Sequence, residues 1–129
     1  MHIIKPILQL IAEYAAEYKL REWIPSDKIH WGWLSANPND GAIALLNANQ
    51  DKIDWSCLSR NTNDGALELL NKNQDNIDWW MLSWNPNDGA LKLLNKNQDK
   101  INWHLLSDCL HIFELNTETV YSNLLRLAN

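Results

Sequence analysis

The side chains best suited to chemistry gather near the C-terminal end. His104, Ser107 and Asp108 lie within about one helical turn, and they are the residue types of a base, a nucleophile and an orienting acid. A working triad draws its members from separate elements and adds donors for a developing oxyanion. Neighbours on one helix do not supply that geometry. His104, Cys109 and His111 are metal-binding types, but their spacing matches no standard zinc pattern and a fourth ligand is missing. Cys57 and Cys109 are the only cysteines, too few for a disulfide framework. The four glycines build no phosphate loop, and three of them sit in Asp-Gly pairs at 40–41, 64–65 and 88–89. These residues point to no enzyme, no metal and no cofactor. What explains them is the set of elements that carries them.

Those elements repeat. Trp31, Trp55, Trp79 and Trp103 are 24 residues apart, and Leu34, Leu58, Leu82, Leu106 and Ser35, Ser59, Ser83, Ser107 follow in register. Asn-Pro-Asn-Asp-Gly-Ala stands at 37–42 and 85–90, and Asn-Thr-Asn-Asp-Gly-Ala at 61–66. Leu45-Leu46, Leu69-Leu70 and Leu93-Leu94 recur, as does Asn-x-Asn-Gln-Asp at 47–51, 71–75 and 95–99. A fixed period of this length signals a stacked array, because one unit cannot bury its own apolar face. The expected fold class is all-α: one domain, a small solenoid of 24-residue two-helix units. Residues 1–28 hold an N-terminal cap helix, 29–102 three repeats, and 103–129 a partial repeat with a C-terminal cap. At 129 residues, 46% apolar and 21% charged, the chain has the size and composition of one globular domain.

Within a unit, Asp54 is placed as the N-cap of a first helix running from Trp55 to about Arg60. Asn37 is placed as N-cap of a second, with Pro38 at its first position and Asp40 in its first turn. Ala42, Leu45 and Leu46 form the inward stripe of that second helix, and Asn49 and Gln50 end it. Asp-Gly also marks hairpins, but no alternating strand pattern flanks it here. The Trp residues are expected to form a ladder through the core. The repeated Asn residues are expected to bond the next unit's backbone. At the ends, a helix over 6–20 turns Ile7, Leu10, Ile11, Tyr14, Ala15 and Tyr18 inward. A helix within 110–128, capped by Asn116 or Thr117, turns Val120, Leu124 and Leu127 inward.

The net charge of −5, from 16 acidic and 11 basic residues, works against nucleic acid and anionic lipid. Ile7–Leu20 carries Glu13, Glu17 and Lys19, so no stretch reads as membrane-spanning, and Lys5, Pro6 and Glu13 do not make a secretory signal. With Asn so frequent, no Asn-x-Ser/Thr acceptor occurs. Cys57 and Cys109 stand two units apart, about 20 Å by helix spacing, beyond the roughly 7 Å a disulfide spans. The expected compartment is reducing and cytoplasmic.

Asp-Lys-Ile-Asp-Trp at 51–55, Leu-Ser-Ala-Asn-Pro-Asn at 34–39 and His-Ile-Phe-Glu-Leu at 111–115 resemble the short tryptophan-containing repeats of giant, mimivirus-like DNA viruses. Lys-Leu-Arg-Glu-Trp-Ile-Pro at 19–25 resembles the run that precedes their first repeat. The resemblance covers roughly residues 19–116. It departs where this chain has Asn-Pro-Asn-Asp-Gly-Ala-Ile for Asn-Pro-Asn-Ala-Ile, and Asn-Gln-Asp for Asn-Pro-Asp. It implies a viral protein of the host cytoplasm or virion and carries no catalytic residue. The 24-residue period with a central Asn-Pro is also similar to the leucine-rich repeat variant, a solenoid of alternating α and 3₁₀ helices. That second likeness concerns architecture alone.

Within this frame, positions that vary are the candidates for binding. On the first helix they are Gly32 and Ala36, Ser56 and Arg60, Trp80 and Trp84, His104 and Asp108, four apart and so on one face. Position 33/57/81/105 is always apolar and expected to be buried. Trp80, Trp84, Arg60, Ser56 and His104 therefore form the expected surface for another protein or for self-association, joined by Trp33 should it be exposed, the alternative being that the terminal helix covers Trp80 and Trp84. The alternative is a nucleic-acid strip of Lys72, Lys92, Lys96 and Lys100, set against nearby Asp75, Asp88 and Asp99.

Overall fold

A computed structural model describes residues 6–8 and 17–129. Its described elements are helical: α1 (Trp31–Ser35), α2 (Asp40–Ala48), α3 (Trp55–Ser59), α4 (Asp64–Lys72), α5 (Trp79–Ser83), α6 (Asp88–Lys96), α7 (Trp103–Leu106) and α8 (Thr117–Ala128). Single 3₁₀ turns lie at Ser26–Lys28, Gln50–Lys52, Gln74–Asn76, Gln98–Lys100 and Leu110–Ile112. The five-residue helices α1, α3 and α5 stack on one another and on the four-residue α7, and the nine-residue α2, α4 and α6 stack beside them. The all-α helical-repeat solenoid is therefore the observed fold.

Local chemistry starts each helix. Asp54 accepts the Cys57 N–H at 2.9 Å and caps α3 as expected. The second helix starts two residues later than its spacing indicated. Asn39, Asn63 and Asn87 are the N-caps, each accepting the glycine N–H two residues on. Asn37 instead accepts the Asn39 N–H at 2.9 Å, an Asx turn that turns the chain into the cap. After Asn49 the chain closes a 3₁₀ turn that periodicity did not show, so each unit holds three helical segments. Asn49 Nδ2 meanwhile donates to the Leu45 carbonyl at 2.9 Å, satisfying an orphan acceptor of the helix end.

Polar ladders tie the units together. The amide of Asn61 donates to Ser35 O and Asn37 O, both at 2.9 Å, while Asn61 Oδ1 accepts the Asn63 N–H. Asn85 repeats this on Ser59 and Asn61. The ladder thus bonds the preceding unit, the reverse of the expected direction. Ser35 Oγ donates to Trp31 O and accepts the Asp54 N–H, and Ser59 and Ser83 do likewise. Asn61, Asn85 and all three of these serines are buried and none lacks a partner, as buried polar groups require.

The apolar core runs between the two layers, with Leu46, Leu58, Leu70 and Leu82 wholly enclosed. The tryptophans do not run through it. Trp31, Trp55 and Trp79 are half-buried at its edge, Trp103 is 60% exposed, and among the described residues no two Trp rings pair. Lys52 and Lys100 instead place their ammonium groups 4.8 Å from the ring centres of Trp31 and Trp79.

Both ends depart from expectation. Residues 6–8 are helical as expected, but residues 17–20 are not, and Ile7 and Tyr18 are exposed rather than inward. Leu10, Ile11, Tyr14 and Ala15 lie outside the described residues. At the other end, Asn116 caps α8 by accepting the Thr119 N–H, but every residue of α8 is exposed, Val120, Leu124 and Leu127 included. The inner second helices pack closely on the unit before them. A Cβ on Gly65 would come 2.9 Å from Ile43 Cγ2, and one on Gly89 would come 3.3 Å from Leu67. At the same second position α8 carries Glu118.

Candidate functional site

Arg60, Trp84 and Asp108 occupy one register position in successive units, at or beyond the C-terminal ends of α3, α5 and α7. Together with Pro86, Cys109, Leu110 and His111 they line a hollow of 540 Å³. Trp84 is 53% exposed there, and Arg60 has no ion-pair partner among the described residues. The hollow offers an indole face, a guanidinium and a carboxylate side by side. This combination suits a partner with an apolar side chain flanked by polar groups.

The other expected contact residues fall elsewhere. Trp80 is exposed on α5 but does not line the hollow. His104 is exposed and lines no part of it. Ser56 is half-buried and engaged, its Oγ donating to Asp78 Oδ2 at 2.7 Å, so it serves the stack rather than a partner. Trp33 is 74% exposed, contrary to the burial expected at its position, whereas Cys57, Met81 and Leu105 are half-buried there. Pro86, Leu110 and His111 were not anticipated. The signal was the register itself, since Leu110 stands 24 residues after Pro86.

The lysines do not form one strip. Lys92 and Lys96 line a 580 Å³ hollow between α4 and α6 in the company of Asp64, Glu68 and Asp88. Lys72 lines another with Asp40, Asp64 and Glu68. Lys100 is drawn to the opposite edge by Trp79. Carboxylates interleaved with the ammonium groups remove the continuous positive field that phosphate binding needs.

His104, Ser107 and Asp108 form no hydrogen-bonded set among the described residues. Ser107 Oγ donates to Trp103 O at 2.6 Å, a bond along its own helix. His111 Nδ1 lies 3.7 Å from Asp88 Oδ1, in the register of Asn87, whose amide donates to Asp64 Oδ1 at 2.7 Å. Cys109 likewise takes the register of Asn85, its Sγ 3.9 Å from Ser83 O. Burial pushes its thiol above the ordinary value, with the Asp108 charge adding to the shift. Cys57 is raised by burial first and then by the Asp54 carboxylate, against a smaller lowering from Arg60. Both are free thiols.

Among the described residues no group of three or more His, Cys, Asp or Glu side chains is placed to hold a metal, and no helix is long and apolar enough to cross a membrane. No family model, curated protein or solved structure matches this chain, so the likeness to giant-virus repeats rests on the strings quoted above.

Proposed function

We propose that this chain is a non-catalytic protein-interaction module. Its rigid stack presents the Arg60–Trp84–Asp108 hollow, with the exposed Trp80 and Trp33 on the same series of short helices, to another protein. One observation carries this reading: at a register position that varies from unit to unit, an exposed indole stands beside a guanidinium with no ion-pair partner among the described residues. Indole and guanidinium groups in a shielded pocket are the side chains that most often dominate binding energy. The resemblance to giant-virus repeats supports the same reading, with host cytoplasm or virion as the proposed place of action.

The test is comparative capture. Trp84→Ala with Arg60→Ala, on exposed positions, is expected to cost under about 1 kcal/mol of stability and to abolish retention of the bound protein. Lys92→Glu with Lys96→Glu is expected to leave retention intact. If the lysine pair rather than the Trp84/Arg60 pair abolishes retention, and salt dissolves the complex steeply, the nucleic-acid alternative replaces this one.

A further inference from the structure

The C-terminal end of the stack is an unfilled seat. Inside the array each second helix lays its glycine on the preceding unit, Gly65 against Ile43 and Gly89 against Leu67. No second helix follows α6, and Leu91, in the register of Ile43 and Leu67, is only half-buried. Leu106 is half-buried where Leu58 and Leu82 are enclosed, and Trp103 is 60% exposed. Leu91, Leu94, Ile101, Trp103, Leu106 and Ile112 line the resulting 400 Å³ groove. The same chain carries an apolar helix with nothing against it among the described residues. In α8, Val120, Leu124 and Leu127 repeat at helical spacing beside Tyr121 and Leu125, and these five are 44–85% exposed.

We infer that the groove receives α8 of a second copy of this chain, and that the two copies exchange helices about a two-fold axis. Three observations favour a second copy over the chain's own helix or a foreign partner. First, the turn Leu110–Ile112 corresponds to Pro86–Asp88, where an inner second helix begins. It packs on α6, and Ile112 forms part of the groove, so the chain's own exit blocks direct entry from that end. A helix from another copy arrives from solvent without this obstacle. Second, exchange uses both unpartnered surfaces at once, as an isologous pair requires. Burying two such helix faces and the two grooves removes on the order of 1,200 Å² or more from water, the size of a specific interface. Third, the ionisable groups lining the groove are Lys92 and His111, both basic, while the charged side chains of α8 are Glu118 and Arg126. Glu118, in the first turn of α8, therefore meets opposite charge there, and Arg126 stands two turns further along. This surface is separate from the Arg60–Trp84 hollow.

The experiment is light scattering on the full chain across a wide concentration range. The wild type is expected at twice the 15.0 kDa of one chain. Leu124→Glu with Leu127→Glu, on a fully exposed helix, and separately Leu91→Glu, on the groove rim, are each expected at single-chain mass. Circular dichroism melting is expected to show the array of the helix variant still folded. Trp84→Ala with Arg60→Ala is expected to remain at two-chain mass. A wild type of single-chain mass throughout overturns the inference, and slow amide exchange over 117–128 in that species assigns the helix to its own groove. A pair that survives the α8 variant, a pair lost only in the Trp84/Arg60 variant, or species growing without limit by end-to-end stacking also overturns it. Of these results, only loss of the pair in the Trp84/Arg60 variant bears on capture through the Arg60–Trp84 hollow, which it would make a self-association surface.

Discussion

Asn61 makes three hydrogen bonds with one short side chain: two donated to carbonyls of the preceding unit and one accepted from the Asn63 N–H. Aspartate has no donor for the carbonyls, and alanine offers nothing to any of the three. Asn61→Ala leaves buried backbone groups unpaired and is expected to cost about 3 kcal/mol in urea unfolding, with Asn61→Asp at least as damaging. A loss under about 1 kcal/mol would show that water replaces the ladder. At Cys109 the same position holds a weak sulfur donor. Cys109→Asn is expected to extend the ladder and raise stability by about 1 kcal/mol, and an unchanged urea midpoint would deny it. Both thiols titrate above the ordinary 9.0 in the folded chain. The folded state then holds these protons more tightly than the unfolded one. Their contribution is whole below pH 9.0 and is lost as the pH climbs through the raised folded values. The urea midpoint is expected to fall over that alkaline window, and less so in Cys109→Ala.

At the scale of the element, glycine shows the conflict between propensity and packing. All glycines here have negative φ, so backbone strain does not select them. Gly65 is required because α4 approaches α2 so closely that a Cβ would sit 2.9 Å from Ile43. Gly65→Ala gains helix propensity yet is expected to lower stability by about 1–2 kcal/mol through overpacking. Gly32 is the control. Its nearest contact would be the movable ring of His30 at 3.1 Å. Gly32→Ala is expected to stabilise by up to about 1 kcal/mol. Thermal melts that move both variants in the same direction would refute the close-approach argument.

For the whole molecule, stability is a sum of units and of the interfaces between them. Inner leucines should therefore cost more than end ones. Leu58→Ala and Leu82→Ala, at wholly enclosed positions, are expected to lose about 3–5 kcal/mol, and Leu106→Ala, half-buried at the open end, roughly half as much. Urea unfolding of the three variants tests this. Equal losses would mean that the C-terminal end is as well covered as the middle.

The 24-residue period, the helix type, the Asp54 cap, the inward Leu45-Leu46 pairs and the variable positions of α3 and α5 were legible in the residues, because caps, apolar spacing and repetition act over a few residues. The Asn ladder was legible as a ladder but not in its direction, since Asn37 and Asn39 are both competent caps and only contact with the preceding unit separates their roles. Tertiary structure also decided which candidates meet. Arg60 and Trp84 share a hollow because stacking brings equivalent positions of neighbouring units together. Ser56 is claimed by Asp78 and Lys100 by Trp79, partners roughly one period away. Amphipathic spacing marked Val120, Leu124 and Leu127 as a face to bury without saying against what. Only the tertiary structure shows that among the described residues this face lies against nothing, because the turn Leu110–Ile112 packs on α6 at the place where an inner second helix begins.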